Sequence, residues 1–117
     1  MKYNYTATPL VGLIDTGASD CLFDKDVADD LGIDLQATSV IRHYVGIDGE
    51  AVIGYVHQVS IQIIQISKFS EWIEVEAGFL DCKLPFPLLG QSGFFDNYEI
   101  TLRRYRGKFE IKSRTYL

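Results

Sequence analysis

Leu13-Ile14-Asp15-Thr16-Gly17-Ala18-Ser19 is the stretch on which the fold of this chain turns. Leu13 and Ile14 close an apolar run, Leu10 to Ile14, that reads as a strand and delivers Asp15 at its end. The four residues that follow are small, as a chain turning sharply behind a carboxylate requires. Gly17 in particular lets backbone approach closely. Thr16 adds a hydroxyl that can both donate and accept. An isolated Asp-Thr-Gly is also an ordinary turn, so the apolar pair before it and Ala18-Ser19 after it are what mark a rigidly presented acid.

Working outward, Tyr3 to Ala7 reads as a strand set apart from Leu10 to Ile14 by Thr8-Pro9, because proline lacks the N–H a strand interior needs. Downstream, Asp24 is a suitable N-cap for a short helix over Lys25 to Leu31, with Asp26 in its first turn and Gly32 placed to end it in a left-handed conformation. Val27, Ala28 and Leu31 give that helix one apolar face. Val40 to Val45 and Ala51 to Ile66 flank Gly46-Ile47-Asp48-Gly49, a strong hairpin signal. Val59, Ile61 and Ile63 alternate with Ser60 and Gln62, whereas Ile64 and Ile66 shift the phase and point to a bulge. Trp72 to Leu80 reads as a further strand. Leu88-Leu89-Gly90 repeats the device of an apolar pair leading into a tight turn, and Gly93 to Tyr98 reads as one helical turn. Glu99 to Arg104 and Lys108 to Lys112 form a last hairpin about Tyr105-Arg106-Gly107.

A length of 117 residues allows one domain, taken as 1–117, with its own core. With 47% hydrophobic residues and recurrent Val, Ile, Thr, Tyr and Phe, the chain is expected to be a mainly β globular protein. A net charge of −5 argues against nucleic acid as a partner. Six of the eleven basic residues nevertheless cluster at Arg103, Arg104, Arg106, Lys108, Lys112 and Arg114. A charged, solvated hairpin edge is the favoured reading of that cluster, and a phosphate-binding patch is the other.

Cys21, Cys82, His43 and His57 show no metal-ligand spacing, so no metal or other cofactor is expected. The cysteines are read as reduced and structural, the histidines as surface or strand-packing residues, and Trp72 with Phe94-Phe95 as core or interface. No membrane span or export signal is visible, which points to the cytoplasm; a chain cut from a longer precursor would read the same.

Four elements in order resemble the retropepsin-like aspartic proteases, in particular their small bacterial type. They are Asp15-Thr16-Gly17-Ala18-Ser19, the helical stretch Asp24 to Leu35, the glycine-bounded tip Gly46-Ile47-Asp48-Gly49, and Pro87-Leu88-Leu89-Gly90 followed by Phe94-Phe95-Asp96-Asn97-Tyr98. The resemblance spans roughly Leu10 to Ile111. It implies a closed, barrel-like acid-protease fold with one or two short helices. It also implies an endopeptidase in which Asp15 is catalytic, Thr16 to Ser19 support its loop, Gly46 to Gly49 form a flap over extended peptide, and Leu88, Leu89 and Gly90 buttress the site.

Such enzymes need two carboxylates facing one water, and this chain has a single Asp-Thr-Gly, so a homodimer is implied. Two facing Asp15 side chains cannot both ionise cheaply, and the pair shares a proton, as in the family's known members. In the retroviral branch an arginine after the second-signature glycine pairs with an aspartate behind the catalytic loop. Gln91 and Ser19 stand at those positions here, a neutral polar replacement at both ends. Asp48 is read first as a turn residue and second as an influence on substrate charge preference. The alternative function is a retropepsin-like dimer that binds extended peptides or scaffolds an assembly without cutting.

Overall fold

Asn4 adopts a left-handed backbone (φ 52°), so the chain doubles back at once and Lys2–Tyr3 (β1) pairs antiparallel with Thr6–Ala7 (β2). The single strand expected over Tyr3 to Ala7 is therefore a miniature hairpin, because asparagine tolerates the left-handed turn that splits it. These features come from a computed structural model, which describes residues 1–46, 48–65 and 68–113. Ile47 of the expected flap, Ile66 of the expected long strand and Arg114 of the basic cluster lie outside the described residues.

Of the apolar run Leu10 to Ile14, only Leu13–Ile14 (β3) is strand. Cys21–Phe23 (β4) follows, then the helix Lys25–Leu31 (α1). Ile41–Val45 (β5) and Ala51–Ile61 (β6) form the long hairpin, and Ile64–Gln65 (β7) pairs with Lys68–Phe69 (β8). Ile73–Leu80 (β9), Leu88–Leu89 (β10), Tyr98–Arg103 (β11) and Lys108–Ser113 (β12) complete the strands. The main sheet runs β2-β1-β6-β9-β4-β10-β3, with β5 pairing off β6. It curls into a half-barrel, so the protein is mainly β, as expected from its sequence. The last hairpin, β11–β12, turns through a 3-10 segment, Arg104–Arg106, and Gly107 at φ 63°.

The long strand stops at Ile61 instead of bulging beyond Ile63. Ser70 explains the stop: its hydroxyl accepts the Ile63 N–H (2.8 Å) and its carbonyl accepts the Gln62 amide (3.0 Å), which pulls the chain off the ladder. Gly93 to Tyr98 makes consecutive turns: the N–H groups of Asn97 and Tyr98 both reach the Phe94 carbonyl, one turn of helical spacing, while those of Phe95 and Asp96 reach back five residues to Gly90 and Gln91, so no helix beyond that turn forms.

The core lies on one face of the sheet. Phe23 and Phe79 meet at 5.5 Å between ring centroids, and buried Phe94 packs on Tyr98 at 5.1 Å. Val27, Ala28 and Leu31 cover this layer from α1, the face anticipated from the sequence. Cys21 is fully buried, and burial pushes its thiol up, keeping it protonated as a packing group. Cys82 is exposed, which corrects its reading as structural: it sits in a surface turn after β9. His57 packs edge-on to Phe79 and bonds the Leu35 carbonyl (2.8 Å), while His43 is exposed. Trp72 is partly exposed with the Lys2 ammonium over its ring.

Asp24 joins two parts of the chain. Oδ1 accepts the N–H groups of Asp26 and Val27 at 3.0 and 3.2 Å, and Oδ2 accepts that of Leu84 at 3.1 Å. Asp24→Ala is expected to lower stability by about 2 kcal/mol, since it removes a helix cap and a long-range carboxylate bond together. The shift in urea midpoint measures it.

Candidate active site

Asp15 is set by a parallel pairing of the two apolar couples. Leu13 lies opposite Leu88 and Ile14 opposite Leu89. The Leu13 N–H donates to the Pro87 carbonyl (2.8 Å) and the Asp15 N–H to the Leu89 carbonyl (3.0 Å), so Asp15 is the first residue past a clamped strand end. Its side chain then folds over its own loop: the Gly17 N–H donates to Asp15 Oδ1 (2.9 Å), and the Ala18 N–H to the Asp15 carbonyl (3.2 Å). A Cβ at Gly17 would stand 3.2 Å from that carboxylate oxygen, closer than is comfortable. Asp15 and Ala18 are half-buried, whereas Thr16, Gly17 and Ser19 are exposed. Among the described residues no hydrogen bond reaches Asp15 Oδ2, so one carboxylate oxygen holds the loop and the other is open to chemistry.

The second apolar couple ends at Gly90, which is buried between strands of backbone. A Cβ there would collide with the Asp20 carbonyl oxygen and lie 2.6 Å from that of Ala18. Beyond it, the N–H groups of Gln91 and Ser92 donate to the carbonyls of Ala18 and Ser19, both at 2.8 Å. The Gln91 side chain donates to the Thr16 carbonyl at 2.9 Å. The Gln91 side chain thus braces the loop through Thr16 backbone, and among the described residues no hydrogen bond reaches the exposed Ser19 side chain. A charged pair does exist, one residue further along: buried Asp20 accepts from Arg42 Nη1 (2.9 Å) and from the Tyr44 hydroxyl (2.7 Å), both on Oδ2. Burial, then the Asp20 hydrogen bond, pushes the Tyr44 phenol up, so it remains a donor. The Asp20 hydrogen bond likewise raises the Arg42 guanidinium.

The hairpin tip is built by turn chemistry. The Gly49 N–H donates to the Gly46 carbonyl (2.9 Å), Gly49 sits at φ 82°, and Asp48 Oδ1 accepts the Glu50 N–H (3.0 Å). Asp48 therefore has a structural use at the turn. Among the described residues no hydrogen bond links Gly46, Asp48 or Gly49 to Thr16–Ser19. The structure brings the Asp15 loop and the Leu88–Gly90 segment together, and ties the loop to the hairpin's arm, not its tip.

A profile of the aspartyl protease family matches residues 3–92. The chain belongs to that family. The matched span of this aspartyl protease family member takes in Asp15-Thr16-Gly17, the β5–β6 hairpin and Leu88-Leu89-Gly90, and stops before the β11–β12 hairpin. Among solved structures the chain is similar to a retropepsin-like aspartic protease from Rickettsia conorii, with a TM-score of 0.60 and 24% identity over 87% of this chain and 71% of that one. A likeness at that identity speaks for the fold. No curated protein matches the chain. Among the described residues no helix is long and apolar enough to cross a membrane.

Asp20, Arg42 and Tyr44 escaped the sequence reading. The available signal was Gly54 and Gly78, each isolated inside a strand-forming run, a pattern that marks close approach of another group.

Proposed function

We propose that this protein is an aspartic endopeptidase that works as a homodimer, with Asp15 of each chain facing one water. The observation that carries the reading is Asp15 itself: a carboxylate clamped at a strand end, one oxygen held by Gly17 N–H and the other open, in a chain of the aspartyl protease family. The ionised Asp15 takes a proton from the water as its oxygen attacks the peptide carbonyl carbon, and the protonated Asp15 of the other chain donates to the carbonyl oxygen. The gem-diol that results collapses with cleavage of the C–N bond as a proton passes to the leaving amine. No covalent enzyme intermediate forms. Thr16 to Ser19 hold the loop, Gly17 offers backbone to an extended substrate, and the hairpin closing over it excludes water.

The surface beside the loop supports a second copy as partner. Leu13, Leu102 and Phe109 are 50%, 68% and 54% exposed, and with Ile14, Thr16, Phe95 and Ile100 they line an apolar depression of about 510 Å³. Apolar surface of this kind is costly to leave in water, and covering it with a second chain brings a second Thr16 loop to the first. The test is incubation of the native chain with a diverse peptide library across pH, beside a solution mass measurement. Cleavage by a species of twice the chain mass is expected. A chain that stays monomeric at high concentration, or a dimer that cuts no peptide, overturns the reading; the latter result favours a peptide-binding or scaffolding dimer.

A further inference from the structure

Tyr44 crosses the sheet along a lane that two glycines leave open. A Cβ at Gly54 on β6 would run into its ring, and one at Gly78 on β9 would stand 2.5 Å from its hydroxyl oxygen. At the end of the lane the hydroxyl donates to Asp20 Oδ2 (2.7 Å). The same oxygen accepts from Arg42 Nη1 (2.9 Å), whose Nη2 reaches Glu76 on β9 (3.0 Å). Asp20 is 6% exposed, bridges to Ser92, and lies five residues after Asp15 on the same segment. One arm of the hairpin is therefore bonded to the piece of chain that carries the candidate catalytic acid.

The place of this bond matters. Strand β6 pairs with β9 from Ile61 up to Gly54, and beyond Gly54 it pairs only with β5. The hairpin thus leaves the sheet at a glycine, the residue least able to resist rotation about its backbone. Without a brace, a two-stranded ribbon emerging there would swing as a whole. The Tyr44 ring lies directly over Gly54 and is pinned at its far end to Asp20.

The geometry points to Arg42 and Tyr44 as positioning residues that lock the base of the β5–β6 hairpin to the Asp15 segment through Asp20. The role in catalysis rests on the proposed endopeptidase function, while the lock itself is a property of the fold. Neither residue touches the reacting atoms. Their effect passes through how firmly the base of the hairpin is held to the Asp15 segment, and in catalysis a misplacement of about 1 Å costs up to about a hundredfold in rate.

Two variants test the lock without removing the buried Asp20–Arg42 charge pair. Tyr44→Phe deletes only the hydroxyl, and Gly78→Ala pushes the hydroxyl off Asp20 from outside the network. Amide hydrogen exchange is expected to quicken about tenfold at residues 42–45 and 51–53 in both, the loss of roughly one hydrogen bond to a charged group, and by clearly less in the 56–61 and 73–80 ladder. With a cleaved peptide, kcat/KM is expected to fall about tenfold under conditions where urea unfolding shows both variants fully folded. Unchanged hairpin exchange in Tyr44→Phe overturns the lock, as does exchange that rises equally in the ladder. Faster hairpin exchange with unaltered kcat/KM overturns the positioning role. Should Gly78→Ala not fold, Tyr44→Phe alone decides. If the native chain cuts no peptide, the endopeptidase reading fails, and the exchange result still decides the lock.

Discussion

Asp15→Asn is expected to remove the proposed peptide hydrolysis, lowering kcat/KM by at least about a thousandfold, while the fold and its urea midpoint stay close to those of the native chain. The asparagine carbonyl can still accept the Gly17 N–H that Asp15 Oδ1 accepts at 2.9 Å, and the clamp from the Leu89 carbonyl to the residue-15 N–H is backbone. The loop therefore survives. What is lost is a group that can take and return a proton, which contributes about 10²–10⁴-fold on its own and more when it also holds the attacking water. Equal cleavage by both proteins would show that the activity comes from elsewhere.

Mixing the chains sharpens the result. In the proposed dimer each site needs an Asp15 from both protomers, so adding one equivalent of Asp15→Asn to a fixed amount of native chain and letting subunits exchange is expected to reduce activity to about half, as native chains are drawn into mixed dimers. An enzyme complete within one chain would be unaffected.

Gly90→Ala is expected to be the most damaging single methyl group in the molecule, costing about 3 kcal/mol or more, read as a fall in urea midpoint. The new Cβ would meet carbonyl oxygens of Asp20 and Ala18, both backbone atoms on the loop that bears Asp15. Neither can move aside as a side chain would, since the Ala18 carbonyl is also bonded to Gln91 N–H at 2.8 Å and the Asp20 segment is bridged to Ser92. Overpacking against a fixed wall costs more than filling a soft one. Gly32→Ala makes a useful contrast: nothing stands within 4 Å of its Cβ, so only its left-handed backbone (φ 72°) resists the change.

Much of the fold was legible because it is written in short-range chemistry. Asp24 caps α1 and Gly32 ends it, as their residue types dictate. The β11–β12 hairpin turns at Tyr105-Arg106-Gly107, and the alternation of Val59 and Ile61 puts both in the core. Where a neighbour distant in sequence intervened, the reading went astray. Ser70, seven residues beyond Ile63, ended β6 early. The candidate site divided in the same way. Asp15 and Leu88-Leu89-Gly90 were each recognisable from a few adjacent residues, and their pairing followed from the resemblance. Gln91 and Ser19 were legible only as neutral replacements for a charged pair; the bond from the Gln91 side chain to the Thr16 carbonyl was not.

The sequence by itself determined the mainly β class, the position of α1, the turns of the β5–β6 and β11–β12 hairpins and Asp15 as the candidate acid. Each of these depends on propensities and turn preferences acting over a handful of neighbours. Only the tertiary structure decided which of the sixteen acidic residues is buried behind the loop and what neutralises it. Asp20 meets Arg42 and Tyr44 across 22 and 24 residues because the β5–β6–β9–β4 registers align and because Gly54 and Gly78 have no side chains to block the way. A contact of that kind is fixed by where several strands stop and start together, and no local stretch of sequence carries that information.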